Sequence, residues 1–217
     1  MEYSVKPGDT LSKIATTFAI PVSSILAVNP QIINPNAISV GQIIRVPNMD
    51  DVPADAPFEV PVESTQLITR ARLVVNSNIL YKLASGGMFP QDPKPTRDGL
   101  CDCSGFVCWV LGLSRKTDIP FYKKFGGWIF TDSMEADVNS TSGIFERLQR
   151  PEPGCIVVYG AGNKIGHVGL VSVVSNGAMQ KVIHCSSGNS TKFNQAILET
   201  APTVFNRPDA LWGRFVG

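Results

Sequence analysis

Apolar positions along the first 47 residues change period, and each period predicts an element. Tyr3 and Val5 alternate with polar neighbours, the spacing of a short strand. After a Pro7-Gly8-Asp9 turn, Leu11, Ile14, Ala15 and Phe18 fall at i, i+3, i+4 and i+7, one face of a helix, with Asp9 or Thr10 as its cap. Pro21 restarts the chain, and Ser23 or Ser24 opens a second short helix carrying Ile25, Leu26 and Val28, closed by Asn29-Pro30. Ile43 to Pro47 reads as a second strand. Then all periodicity stops. Between Asn48 and Glu63 prolines recur at 53, 57 and 61 among acids with no base, the signature of a semi-extended spacer. The chain therefore divides into a module of residues 1–48, a linker of 49–63 and a module of 64–217.

The larger module begins helical and ends in strands. Leu67, Ile68, Ala71, Val74 and Val75 give helical spacing over Thr65 to Leu83, and a Pro- and Gly-rich loop follows over 86–99. Cys103 to Leu113 predicts a buried helix with Phe106, Val107, Val110 and Leu111 on one side. Three β-branched runs, Cys155 to Tyr159, His167 to Val174 and Lys181 to Cys185, are short and close together, as in an antiparallel sheet. Helices followed by strands predict an α+β fold.

Composition narrows the function. Of 217 residues, 43% are apolar and 17% charged, enough to bury a core. Nineteen Lys and Arg against eighteen Asp and Glu leave a net charge of +1, without the basic footprint of a nucleic-acid or anionic-membrane binder. The longest apolar stretch, Phe106 to Leu113, is far below the roughly 18–20 residues that span a bilayer, so membrane insertion is not expected. The first residues show neither a positive n-region nor an apolar h-region, so no secretory signal is expected. Five cysteines, Cys101, Cys103, Cys108, Cys155 and Cys185, are an odd number confined to one half, a poor disulfide framework. Most are expected to be small buried hydrophobes.

The chain has two histidines, and each takes a position in an apolar strand: His167 at the start of one, His184 near the end of the next. Cys103 opens a helix, where unpaired N–H groups and the helix dipole favour thiolate over thiol. A nucleophile, an imidazole base and a second imidazole to orient that base are the three parts of covalent acyl transfer, and Cys103, His167 and His184 supply them. The backbone N–H of Cys103 is a natural oxyanion donor. A zinc site built from Cys101, Cys103, Cys108, His167, His184 and Cys185 is disfavoured, because Cys-x-Cys is not the usual knuckle spacing. A Cys101/Cys103 redox pair lacks Cys-x-x-Cys. No metal and no cofactor is expected.

Two stretches resemble known families. Tyr-x-Val-x-x-Gly-Asp-Thr-Leu-x-x-Ile-Ala, Asn-Pro-x-Ile and Val-Gly-Gln-x-Ile-x-Val-Pro resemble a LysM domain along its whole length. That resemblance implies a βααβ fold binding N-acetylglucosamine-containing glycans in a groove formed here by Gly8, Asp9, Thr10 and Leu11 with Gln31, Ile32, Ile33 and Asn34. Asp-Cys-Ser-Gly-Phe-Val, Gly-His-Val-Gly-Leu-Val and Val-Ile-His-x-Ser-Ser resemble the NlpC-type, papain-like cell-wall peptidases. The resemblance implies Cys103 as nucleophile, His167 as base, His184 as its orienting partner and Tyr81 near the oxyanion site. It also implies that Asp102 and Ser104 contact the amino end of a peptide. Cys155 stands where that family usually has an acid, and is expected to be structural.

Together the resemblances imply a peptidoglycan hydrolase that the first module holds to glycan strands while the Cys103 cleft takes the stem peptide. The expected bond is the γ-D-glutamyl link to the diamino acid. The alternatives are the amide between muramic acid and the stem, a cross-link endopeptidase with the same triad, and, in another class, a non-catalytic wall-binding protein. Synthesis in a reducing cytoplasm without a Sec signal, action in the periplasm or wall, and delivery by a phage-like or contractile machine complete the expectation. An injected effector of this kind calls for an immunity protein over the Cys103 cleft.

Overall fold

The computed structural model describes residues 1–18, 25, 28–29, 31–32, 38–47, 62–162 and 165–217. It divides into two compact units, Met1–Pro61 and Val62–Gly217.

In the first unit β1 (Glu2–Ser4) pairs antiparallel with β2 (Ile43–Arg45), Tyr3 opposite Ile44. Thr10, rather than Asp9, caps α1 (Leu11–Thr17): its Oγ1 accepts the Lys13 N–H at 3.2 Å. Asp9 instead closes the preceding turn, accepting the Lys6 N–H and the Tyr3 O–H, both at 2.8 Å. Val5, Leu11, Ile14, Ala15, Ile25, Ile32, Ile44 and Val46 form one core. Asn29 is fully buried and saturated: its amide donates to Ile25 and Arg45 carbonyls and its oxygen accepts from the Arg45 and Gln31 nitrogens. The expected second helix lies largely outside the described residues.

The second unit is built on a six-stranded antiparallel sheet in the order β5-β10-β6-β7-β8-β9. Its strands are β5 (Phe145–Leu148), β6 (Ile156–Tyr159), β7 (His167–Ser175), β8 (Ala178–Cys185), β9 (Ile197–Thr200) and β10 (Leu211–Phe215). A parallel pair, β3 (Leu80–Tyr81) and β4 (Leu100–Cys101), precedes the buried helix. α2 (Val62–Arg72) starts inside the expected linker and stops well before Leu83. Asn76 and Asn78 adopt φ of 59° and 60°, a left-handed backbone that no helix continues through. α3 (Cys103–Val110) ends three residues before Leu113, where Gly112 turns at φ 72°. All eight of its residues are buried, not one side, as for a helix enclosed by a core. α4 (Thr131–Val138), α5 (Ser187–Phe193), β5, β9 and β10 complete the unit and had no periodic signal.

The pleat divides the sheet's side chains. Ile156, Val158, Val168, Leu170, Ile183 and Cys185 join α3 in the main core. Cys155, Val157, Tyr159, Val171 and Val182 cluster separately with Phe205, which belongs to a 3-10 turn (Thr203–Phe205) between β9 and β10.

Candidate active site

The start of α3 is tied down by one carboxylate. Asp102 caps the helix: its Oδ1 accepts the Gly105 N–H at 2.8 Å and the Ser104 hydroxyl at 3.1 Å. Its Oδ2 takes the Ala84 N–H at 2.7 Å and the Arg115 guanidinium at 2.8 Å. Arg115 also donates to Ser104 Oγ at 2.9 Å and to the Ser85 carbonyl at 3.2 Å. Gly105 is required by the same approach, since a Cβ there would stand 2.5 Å from the Ser85 carbonyl oxygen. Asp102 and Ser104, the residues expected to receive a substrate's amino end, are thus already engaged within the protein. Both are buried, and Arg115 already holds the charge partner's place.

The histidines meet because of register. Leu170 lies opposite Ile183 in the antiparallel β7–β8 pair, which sets His184 across from Gly169, two residues beyond His167 on the same face. His167 Nε2 and His184 Nδ1 are 2.8 Å apart, and His184 Nε2 lies 3.0 Å from Thr200 Oγ1. The His167 ring stacks on Phe205 with centroids 5.0 Å apart and planes within 8°. A Cβ on Gly169 would meet Val182, Phe205 and His184 at 2.6, 3.0 and 3.1 Å, so only glycine lets these rings close over the strand. Burial drives the His167 pKa down to about 3, with repulsion from His184 second, and burial alone drives His184 to about 4. At neutral pH both rings are uncharged.

Cys103 shows two opposed effects with a clear winner. The Ser104 and Val168 backbone N–H groups favour its thiolate, as the helix start predicts, but burial and then the Asp102 charge outweigh them and push the thiol up to about 12. Burial thus opposes the thiolate that the helix start favours, and the thiol is held neutral beside a neutral imidazole. Among the described residues Cys103 makes no hydrogen bond to either ring; its sulfur faces the backbone of Val168, next to the base. As the first residue of α3, its own N–H has no acceptor within the helix. Tyr81, opposite Cys101 in the β3–β4 pair, is half-buried and within electrostatic range of Cys103, as is Tyr159. The other four cysteines are free and buried, and among the described residues no three His, Cys, Asp or Glu side chains are grouped to hold a metal.

In family comparison a LysM domain matches residues 3–47, and a CHAP domain, not an NlpC-type one, matches residues 95–189. The chain thus carries a LysM domain followed by a CHAP domain. CHAP domains are cysteine- and histidine-dependent amidohydrolases or peptidases, and the match contains Cys103, His167 and His184. Over 45 residues the chain is 53% identical to a secreted LysM effector, ECP6, of Passalora fulva, covering 21% of this chain and 20% of that one. Over 44 residues it is 54% identical to an endolysin of Bacillus phage PZA, covering 20% of this chain and 17% of that one. These two relatives are thus spanned for about a fifth of their length or less. A putative L,D-transpeptidase, YkuD, of Bacillus subtilis is 31% identical over 180 residues, covering 82% of this chain and 95% of that one.

In the LysM unit the groove residues separate by role. Leu11 and Ile32 bury their side chains in the core of the unit. Gly8, at φ 84°, is exposed, and Asp9 and Thr10 form the turn and the cap. Gln31 is exposed and braces Asn29, while Ile33 and Asn34 lie outside the described residues. In the CHAP unit three residues escaped the motifs, Arg115, Thr200 and Phe205, and Tyr159 reads only as a strand residue. Only Tyr159 carried a signal, as the aromatic end of an apolar run.

Proposed function

We propose that this protein is a peptidoglycan hydrolase that cleaves an amide bond of the stem peptide through a thioester on Cys103. The observation that carries the reading is the 2.8 Å bond between His167 and His184 beside a cysteine at a helix start. In the reaction the Cys103 sulfur attacks the scissile carbonyl as its proton passes to His167 Nδ1, the ring nitrogen not facing His184. The Cys103 N–H stabilises the developing oxyanion, with Tyr81 beside it. His167 then returns the proton to the leaving amine and activates the water that frees the acyl group. A neutral resting pair makes His167 a general base that acts during attack, not the partner of a preformed ion pair.

The bond assigned first is the γ-D-glutamyl link, in the manner of NlpC-type peptidases. Arg115 on Asp102 leaves no unpaired carboxylate at this point for a free amino end, which supports action on stems still joined to the wall. The same observation favours a second reading, the amide between muramic acid and the stem. Incubation with defined muropeptides and with free stem peptides, followed by mass analysis in H₂¹⁸O, tests both. Label in a new glutamyl carboxylate supports the first; label in a new lactyl carboxylate supports the second. No label, or acyl transfer to an added amine, overturns hydrolysis. The LysM unit serves as the glycan tether, raising local concentration at the wall. Delivery by a phage-like or contractile machine, with an immunity protein covering the Cys103 cleft, accompanies this reading. Free buried cysteines support synthesis in a reducing compartment. Expression of the chain with and without a periplasmic leader tests it: lysis with no leader and no helper system overturns a dedicated route.

A further inference from the structure

We infer that Thr200 is a positioning residue that sets the tautomers of both histidines. It gains its catalytic meaning from the hydrolase reading above. The hydroxyl of Thr200 donates to the Ala201 carbonyl at 3.0 Å, and a carbonyl can only accept. With its hydrogen so committed, Thr200 Oγ1 offers a lone pair to His184 Nε2 at 3.0 Å, which must carry a hydrogen. His184 Nδ1 is then bare and accepts from His167 Nε2 at 2.8 Å. That places the hydrogen of His167 on Nε2 and leaves its Nδ1 bare, the form a base needs. Each tautomer follows from the one before, and the series ends on a backbone carbonyl.

His184 is 2% exposed, so no abundant solvent replaces a lost acceptor. Without the hydroxyl, His184 is relieved by moving its hydrogen to Nδ1. It then donates to His167 Nε2, and the His167 hydrogen is displaced to Nδ1, where it blocks the base. Thr200 ends β9, beyond the CHAP match at residue 189, and the segment that follows it also brings Phe205 against the His167 ring. One connection therefore fixes both the proton position and the plane of the base.

The test is ¹⁵N NMR on the full chain with labelled histidine, which reports two imidazoles and no others. Wild type is expected to show Nε2–H and bare Nδ1 on both rings at pH 7; a hydrogen on Nδ1 of either overturns the inference. Thr200→Val is expected to move hydrogen to Nδ1 and to lower kcat roughly 10- to 100-fold with KM within about twofold, the scale of losing an outer orienting partner. Thr200→Ser is expected to restore both. Unchanged tautomers and kcat in Thr200→Val, or no rescue by Ser, overturn it. Should Thr200→Val fail to fold, the wild-type spectrum and Thr200→Ser still decide. If the spectra follow expectation but wild type releases no wall fragments, the hydrolase reading fails while the tautomer assignment stands.

Discussion

The two halves of the CHAP site are held in opposite ways. The half around Cys103 is a cross-braced knot, in which Asp102 accepts from Ala84, Ser104, Gly105 and Arg115, and Arg115 reaches Ser104 and Ser85 as well. The half around the histidines is a single file: His167, His184, Thr200 and the Ala201 carbonyl, one bond between each pair. Several bonds resist a shift in position, because removing one leaves others in place. A file governs orientation, since each member dictates the hydrogen of the next. Position therefore matters most for the sulfur and protonation for the imidazole.

Four perturbations sharpen that contrast, from the strongest downward. Cys103→Ala is expected to abolish turnover, a loss of at least about 10⁴-fold, with thermal unfolding and glycan binding unchanged. Equal losses in Cys101→Ala and Cys108→Ala would point away from a single nucleophile. Arg115→Met strikes the knot and leaves Asp102 buried without its charge partner, so denaturant unfolding should show a loss of about 3–5 kcal/mol. A cost below about 1 kcal/mol would mean that the neutral donors suffice.

The third perturbation is acid. Folded His167 and His184 stay neutral down to about pH 3–4, whereas in the unfolded chain they titrate near 6.5. As pH falls below 6.5 the unfolded chain takes up protons that the folded one refuses, and stability drops by about a few kcal/mol before pH 4. Replacing both histidines with asparagine should flatten that slope. At the other end Cys103 remains a thiol while an unfolded cysteine ionises near 9, so stability should fall again above pH 9. The mildest is removal of residues 1–61, expected to leave turnover of soluble peptides near normal and to lower activity on whole sacculi about tenfold. Collapse on soluble peptides would show that the LysM unit takes part in the reaction.

What could be read from the chain was what a local pattern encodes. Cys103, His167 and His184 each sit in a short stereotyped context, a helix start or an apolar strand, and both strands formed where β-branched residues cluster. The LysM core followed its helical spacing at Leu11, Ile14 and Ala15. The partners did not follow, because they arrive from far along the chain. Arg115 reaches Asp102 through a turn after α3, and Thr200 meets His184 only through the β8–β9 register. Nor could the charge of Cys103 be read locally, since the helix start argues for thiolate and it is burial, with the Asp102 charge second, that reverses it. The early stop of α2 depended on Asn76 and Asn78 adopting a conformation that spacing does not reveal.

A thiol held neutral has a consequence for durability. The thiolate, not the thiol, attacks peroxides and disulfides, so a sulfur whose pKa burial pushes up to about 12 meets them almost entirely in its unreactive form. The burial that withholds nucleophilicity at rest also keeps Cys103 from sulfenic acid for as long as the sulfur holds its proton. A thiol held this way is expected to outlast an exposed one in an aerobic medium.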